Sequence, residues 1–274
     1  LSNEHSTQTR QLMSGNEITK KPATKMEKFK DLINNKMKDQ VASILPNHLT
    51  PERMCKVLIV EASRNPKLME CTSISVAESV MLSAQLGLEP GGTLGHIYFI
   101  PYGNKCTPII GYKGYLELAR RSGQVARLDA RVVYEGEKFD VSAGLHPNIE
   151  HSVRGDVDRS DDKIVAAYAV AVLKDGSSYF EVLWKVDIDK VRRRSKAGRS
   201  GPWVDDYSRM ARKSAIRALF NGGTVPMSFE LATAVSADGD DPHAKMPPID
   251  ITPIVGEDEP KEVNGMSDLG AALA

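Results

Sequence analysis

A change of hydrophobic period at Pro90-Gly91-Gly92 constrains the fold of this chain more than any other feature. Before it, apolar residues recur at helical spacing; after it, they tend to alternate as strands require. Phe29, Leu32, Ile33, Met37, Val41 and Ile44 predict one helix from Met26 to a stop at Pro46. Thr50 as N-cap, with Pro51 in the first turn, predicts a second helix ending near Asn65-Pro66. Ser75 and Glu78 have capping-box spacing for a third, which carries Val80, Met81, Ala84 and Leu88 and stops at Gly87.

Beyond the break, residues 96–102 and 106–111 predict a hairpin about Gly103-Asn104. A helix follows over roughly 113–122, closed by Gly123. Two strand signals span 127–142 around Glu135-Gly136, and the turn Asp175-Gly176 joins strands at 164–173 and 178–186. A helix from Trp203 to Phe220 completes the pattern. The expected fold class is α+β, a helical lobe over 26–90 followed by an antiparallel β core with flanking helices over 91–226. Residues 1–25 are polar without an apolar face and are expected to be a disordered arm. From 227 to 274, Pro and acidic residues accumulate, predicting a largely disordered acidic tail with at most a short helix at 265–273.

The charge total conceals this organisation. The 36 Lys and Arg balance the 36 Asp and Glu, and a net of zero argues against a wholly basic nucleic-acid coat. By segment, however, the net is +2 over residues 1–95, +6 over 96–223 and −8 over 224–274. Residues 185–217 alone carry a net of +7. A basic working region is followed by an acidic tail.

Several chemistries fail on their motifs. No Gly-Lys dipeptide occurs, so there is no Walker loop to cradle a nucleotide's phosphates. The Gly-rich stretch from Gly87 to Gly95 precedes a strand rather than opening a helix, which excludes a dinucleotide fingerprint. His96, His146 and His151 match no zinc spacing, and Cys55, Cys71 and Cys106 suit a reducing compartment better than a disulfide framework. No cofactor or metal is expected. Asp161-Asp162-Lys163 keeps a metal-dependent nuclease open as the alternative. No apolar run approaches about 18 residues, so a soluble cytoplasmic protein is expected.

The positive signal is basic. Arg192, Arg193, Arg194, Lys196 and Arg199 fall in a segment rich in Gly and Ser that reads as a loop. On the following helix Arg209, Arg212, Lys213 and Arg217 share an arc of about 140°, at ~100° per residue, opposite Tyr207, Ala211 and Ala215. A second group, Lys105, Lys113, Arg120, Arg121 and Arg127, interleaves with Tyr98, Phe99, Tyr102, Tyr112 and Tyr115. Cations beside aromatic rings suit single-stranded nucleic acid, whose bases expose their π faces.

The segments 95–123 (GHIYFIPYGNKCTPIIGYKGYLELARRSG), 166–176 (AAYAVAVLKDG) and 202–220 (PWVDDYSRMARKSAIRALF) resemble the RecT family of phage single-strand annealing proteins, in order and spacing. The resemblance covers roughly residues 30–226 and places the chain in the single-strand annealing protein superfamily. It implies ATP-independent binding of single-stranded DNA and annealing of complementary strands in phage homologous recombination, without covalent chemistry. It also implies a ring or helical filament of identical subunits in the cytoplasm of a bacterial host, encoded by a phage or prophage. A phage exonuclease and the host single-strand-binding protein are the implied partners, with the acidic tail as a docking segment. By resemblance, DNA contacts fall to Lys105, Tyr112, Lys113, Arg120, Arg121, Arg127, Arg192, Arg193, Arg194, Lys196, Arg199, Arg209, Lys213 and Arg217.

Overall fold

The computed structural model describes residues 23–91, 94–195 and 197–237. The expected arm up to residue 22, Lys196, and the chain from 238 onward with its expected helix at 265–273 lie outside the described residues.

The first helix, α1 (Lys25–Asp31), starts in a capping box in which Thr24 and Glu27 each accept from the other's amide. The single helix expected here is divided: a π-helical turn over Leu32–Lys36 separates α1 from α2 (Lys38–Ile44). Phe29, Ile33, Met37 and Val41 are all buried although they are spaced by four. Residues so spaced drift about 40° per step around an α-helix. The widened turn, with Met37 N–H donating to Leu32 O, returns them to one face. Helix α3 (Pro51–Arg64) is capped by the Thr50 hydroxyl as expected.

Helix α4 (Ser73–Leu86) begins three residues before the expected capping box, with Thr72 as N-cap. Ser75 cannot cap because its side chain is buried against the first strand pair, accepting from the Cys106 amide at 2.9 Å. Ser79 donates to the Cys106 carbonyl at 3.1 Å, so two serines anchor the hairpin of β1 (Ile97–Tyr102) and β2 (Lys105–Ile110) to α4. The three cysteines are free, and burial pushes the Cys106 thiol up to about 12.

At its end α4 meets helix α5 (Tyr112–Arg121). Gly87 caps α4 at φ +59°, and a Cβ there would lie 2.7 Å from both Arg121 Nη1 and Pro46 Cγ. Gly87→Ala is therefore expected to destabilise the protein by at least about 1–2 kcal/mol, the cost of a left-handed L-residue. A lower urea midpoint at unchanged m-value would show it.

The central sheet is antiparallel in the order β3-β6-β7, with β3 Val125–Tyr134, β6 Ile164–Leu173 and β7 Ser178–Trp184. Its register pairs Ala169 with both Ala130 and Glu181. Alternation gives the sheet two faces. Ala167, Ala169 and Ala171 of β6 face helix α8 (Tyr207–Asn221), which approaches closely through its own Ala211 and Ala215. On the other face Tyr168 is covered by the hairpin of β4 (Lys138–Ser142) and β5 (Asn148–Ser152), where Phe139 stacks on it at 5.5 Å.

Three further departures fall between residues 185 and 237. Lys185–Arg194 form a helix, α6, so Arg192, Arg193 and Arg194 occupy its last turn and not a loop. The expected helix from Trp203 breaks at Asp206 into α7 (Pro202–Asp205) and α8. Finally, order continues past residue 226. Phe229–Ala237 form α9, which buries Leu231, Ala234 and Val235 against α4, α5 and α8. No helix among the described residues is long and apolar enough to cross a membrane.

Candidate nucleic-acid interface

The basic residues divide by what their charged ends touch. The first class is exposed and makes no ion pair or side-chain hydrogen bond among the described residues: Lys105, Lys113, Arg120, Arg127, Arg193, Arg194 and Arg199. Three of these converge. Cations favour the C-terminal end of a helix, where backbone carbonyls carry partial negative charge. Arg193 and Arg194 sit there on α6, and the chain then doubles back. Arg192 Nε–H donates to Gly198 O at 2.8 Å, closing the turn that returns Arg199 to the same end of the helix. A Cβ on Gly198 would lie 2.2 Å from Arg192 O, so the closed turn requires glycine.

The remaining exposed cations are spread out. Lys105 lies at the hairpin tip, one six-residue strand, or about 20 Å, from Lys113 at the start of α5. Arg120 stands near the other end of α5, about 10 Å along its axis from Lys113. Arg127 projects from the beginning of β3.

A second class serves the fold. Arg121 is half-buried; its Nη2 donates to Leu86 O at 2.5 Å and its Nη1 lies 3.1 Å from His48 Nε2. Burial lowers its pKa, against the opposing pull of Glu117 and Glu230. Arg192 closes its turn and also lies over the Tyr207 ring at 5.8 Å. That ring has Lys185 at 4.9 Å, and its hydroxyl donates to Asp189 at 2.8 Å. Burial raises the Tyr207 pKa, and the bond to Asp189 raises it further. These arginines are staples between elements; Arg192 is held through Nε alone, and its terminal nitrogens make no hydrogen bond among the described residues.

The arc on α8 also contracts. Lys213 is only 7% exposed and Arg217 is half-buried, because α5 and α9 wall the side of α8 that the sheet leaves open. Arg209 remains exposed but is paired with Asp206 at 2.8 Å. Tyr112 is half-buried under the guanidinium of Arg212 at 4.9 Å. Of the other aromatics, Tyr98 and Tyr102 are exposed, whereas Phe99 and Tyr115 are core.

The expected contacts omit Arg131, Arg159 and Arg212, which the fold brings to one cleft from β3, the segment after β5, and α8. Only Arg212 had a signal in the sequence, its place on the α8 arc. The Asp161-Asp162-Lys163 motif disperses. Asp161 accepts from the Tyr207 amide at 3.0 Å, and Lys163 pairs with Glu135. Among the described residues, no group of three or more His, Cys, Asp or Glu is placed to hold a metal ion.

Residues 52–249 match the RecT family. Over 229 residues the chain is 43% identical to Protein RecT of Escherichia coli K12, covering 81% of this chain and 83% of that protein. The chain belongs to the RecT family. It is also 27% identical over 177 residues to the uncharacterized protein YqaK of Bacillus subtilis 168, covering 61% of this chain and 57% of YqaK. The α+β architecture agrees with that membership, and a RecT family protein is a recombination and annealing protein. The matched segment contains every exposed, unpaired cation named above and extends through α9.

Proposed function

We propose that this RecT family protein binds single-stranded DNA through its exposed cations and anneals complementary strands without ATP, as an oligomer of identical subunits. The observation that carries the reading is the turn presenting Arg193, Arg194 and Arg199, exposed and without a carboxylate partner among the described residues. Unpaired guanidinium groups neutralise backbone phosphates and release their counterions, a sequence-independent gain. Contacts confined to the backbone leave the pairing edges of the bases open to a second strand. Watson–Crick pairing then makes the sequence test, and the protein contributes alignment and charge screening with no bond made or broken.

Contacts between copies through the helical lobe would set successive binding surfaces end to end. The acidic residues beyond 237 would dock a basic partner, with a phage exonuclease and the host single-strand-binding protein as candidates. The expected result is faster pairing of complementary oligonucleotides with the protein present and ATP absent, with full-length products. Divalent-metal-dependent shortening of the strands would establish the nuclease instead.

A further inference from the structure

We infer that the cleft along the free edge of β3 is a phosphate-binding subsite for the backbone of single-stranded DNA, built by Arg131, Arg159 and Arg212. It has a volume of about 380 Å³ and is also lined by Tyr134, His151 and Ser208. The inference rests on the DNA-binding reading above and adds a site which that reading does not contain.

Each arginine is tethered so that part of its fork is left over. Arg131 uses Nε to reach Asp129 at 3.1 Å, and Arg212 uses Nε to reach the Ser208 carbonyl at 3.3 Å. Neither has another hydrogen bond among the described residues, so in both the two terminal nitrogens remain, the pair that engages a phosphate end-on. Arg159 is fixed through Nη2, which donates to Glu137 at 2.8 Å and to Arg154 O at 2.6 Å, and its guanidinium covers the Tyr134 ring at 5.1 Å. Burial raises the Tyr134 pKa, keeping its hydroxyl a neutral donor.

The carboxylates around the cleft are engaged. Asp129 holds Arg131, Glu137 accepts from the Tyr134 and Arg154 amides, and Asp161 accepts from the Tyr207 amide. Strand β3 pairs only with β6 in its sheet, so this edge presents unpaired C=O as well as N–H groups, and the excess of donors comes from the terminal nitrogens of Arg131 and Arg212. Donors therefore outnumber acceptors, and the site calls for an anion rich in oxygen. Arg212 ties the cleft to the exposed surface at the start of α5 through its contact with Tyr112, beside Lys113. That continuity favours a DNA strand over an isolated anionic peptide.

The test is fluorescence titration of the full chain with a labelled oligothymidylate over a series of salt concentrations. The variants are Arg131→Gln, Arg131→Gln with Arg212→Gln, and Arg131→Lys with Arg212→Lys. The single change is expected to reduce the slope of log K against log salt by about 0.7 and the double by about 1.4. The lysine pair should keep the wild-type slope, because it keeps the charges. Wild-type slope and affinity in a folded double glutamine variant would overturn the subsite. A rise in affinity there would overturn it too, making the cleft a seat for the chain's own acidic residues. Failure of the wild type to bind oligothymidylate would instead overturn the DNA-binding reading itself.

Discussion

Glutamine in place of Arg193, Arg194 and Arg199 together is expected to flatten the salt dependence of single-stranded DNA binding by about two units of slope, at about 0.7 for each phosphate that is no longer neutralised. Between roughly 50 and 200 mM salt, the triple variant should lose about 20-fold less affinity than the wild type. At low salt it should bind far more weakly. The fold should survive, because none of the three makes a hydrogen bond or ion pair among the described residues and all are exposed. Thermal unfolding close to wild type, with annealing strongly reduced, completes the expected result. An unchanged slope would remove this turn from the DNA-binding surface.

The contrast is with arginines next to these in sequence. Arg121→Gln removes a guanidinium bonded to Leu86 O and contacting His48, and Arg192→Gln opens the Gly198 turn. Both should lower stability by about 1–3 kcal/mol through part-buried acceptors left unpaired. Arg121→Gln should leave the salt slope unchanged. Urea titration and salt-dependent binding, measured on the same variants, separate the two classes.

That separation was beyond the sequence for a physical reason. Runs such as Arg120-Arg121 and Arg192-Arg193-Arg194 fix charge density, but a few degrees of helix rotation decide which guanidinium turns inward. The β1–β2 and β6–β7 hairpins were legible because Gly103-Asn104 and Asp175-Gly176 impose local turn chemistry independent of tertiary context. Strand β5 was not legible, because its mostly polar, exposed run carries little apolar signal, and β4 pairs with it and not with β3. Helix α6 was not, because Ile188 is its only fully buried residue among Lys, Asp and Arg, leaving almost no periodic signal. Helix α9 was hidden by the acidic, Pro-rich surroundings of an apolar nine-residue stretch. Lys213 was misplaced because a helical wheel knows one buried side, whereas α8 is walled by the sheet, α5 and α9. The cleft at β3 gathers residues from 129 to 212, and no local pattern announces it.

Glu137→Ala is expected to be among the most destabilising single changes in the β core. The Glu137 side chain is 0% exposed and accepts four hydrogen bonds: from the Tyr134 amide at 2.9 Å, the Arg154 amide at 3.2 Å, His151 Nε2 at 3.1 Å and Arg159 Nη2 at 2.8 Å. Its removal strands the part-buried Tyr134 amide and a His151 side chain that is itself 5% exposed, whereas the Arg154 amide is exposed and recovers water. Arg159 is 44% exposed and recovers water, so its share is small. The total is about 3 kcal/mol, the scale for removing one partner from a buried polar network. Because His151 Nδ1 lies 3.1 Å from the Tyr168 hydroxyl, the loss should loosen the β4–β5 hairpin from the sheet. Phe139 would move off Trp184, which it meets edge-on at 5.8 Å, and a red-shifted tryptophan emission would report it.

Burial pushes the Glu137 carboxyl upward, but the bonds from Tyr134, His151 and Arg154 outweigh it and hold the group below its ordinary value. A carboxyl depressed in the folded state stabilises fully above its unfolded pKa of about 4.3 and loses that contribution as pH falls through the lower folded value. Urea midpoints of the wild type should therefore drop below about pH 4.5. Those of Glu137→Gln, lower at neutral pH, should lack this component, so the two curves converge in acid. Parallel curves across that range would show that the Glu137 charge is not what holds the hairpin to the sheet.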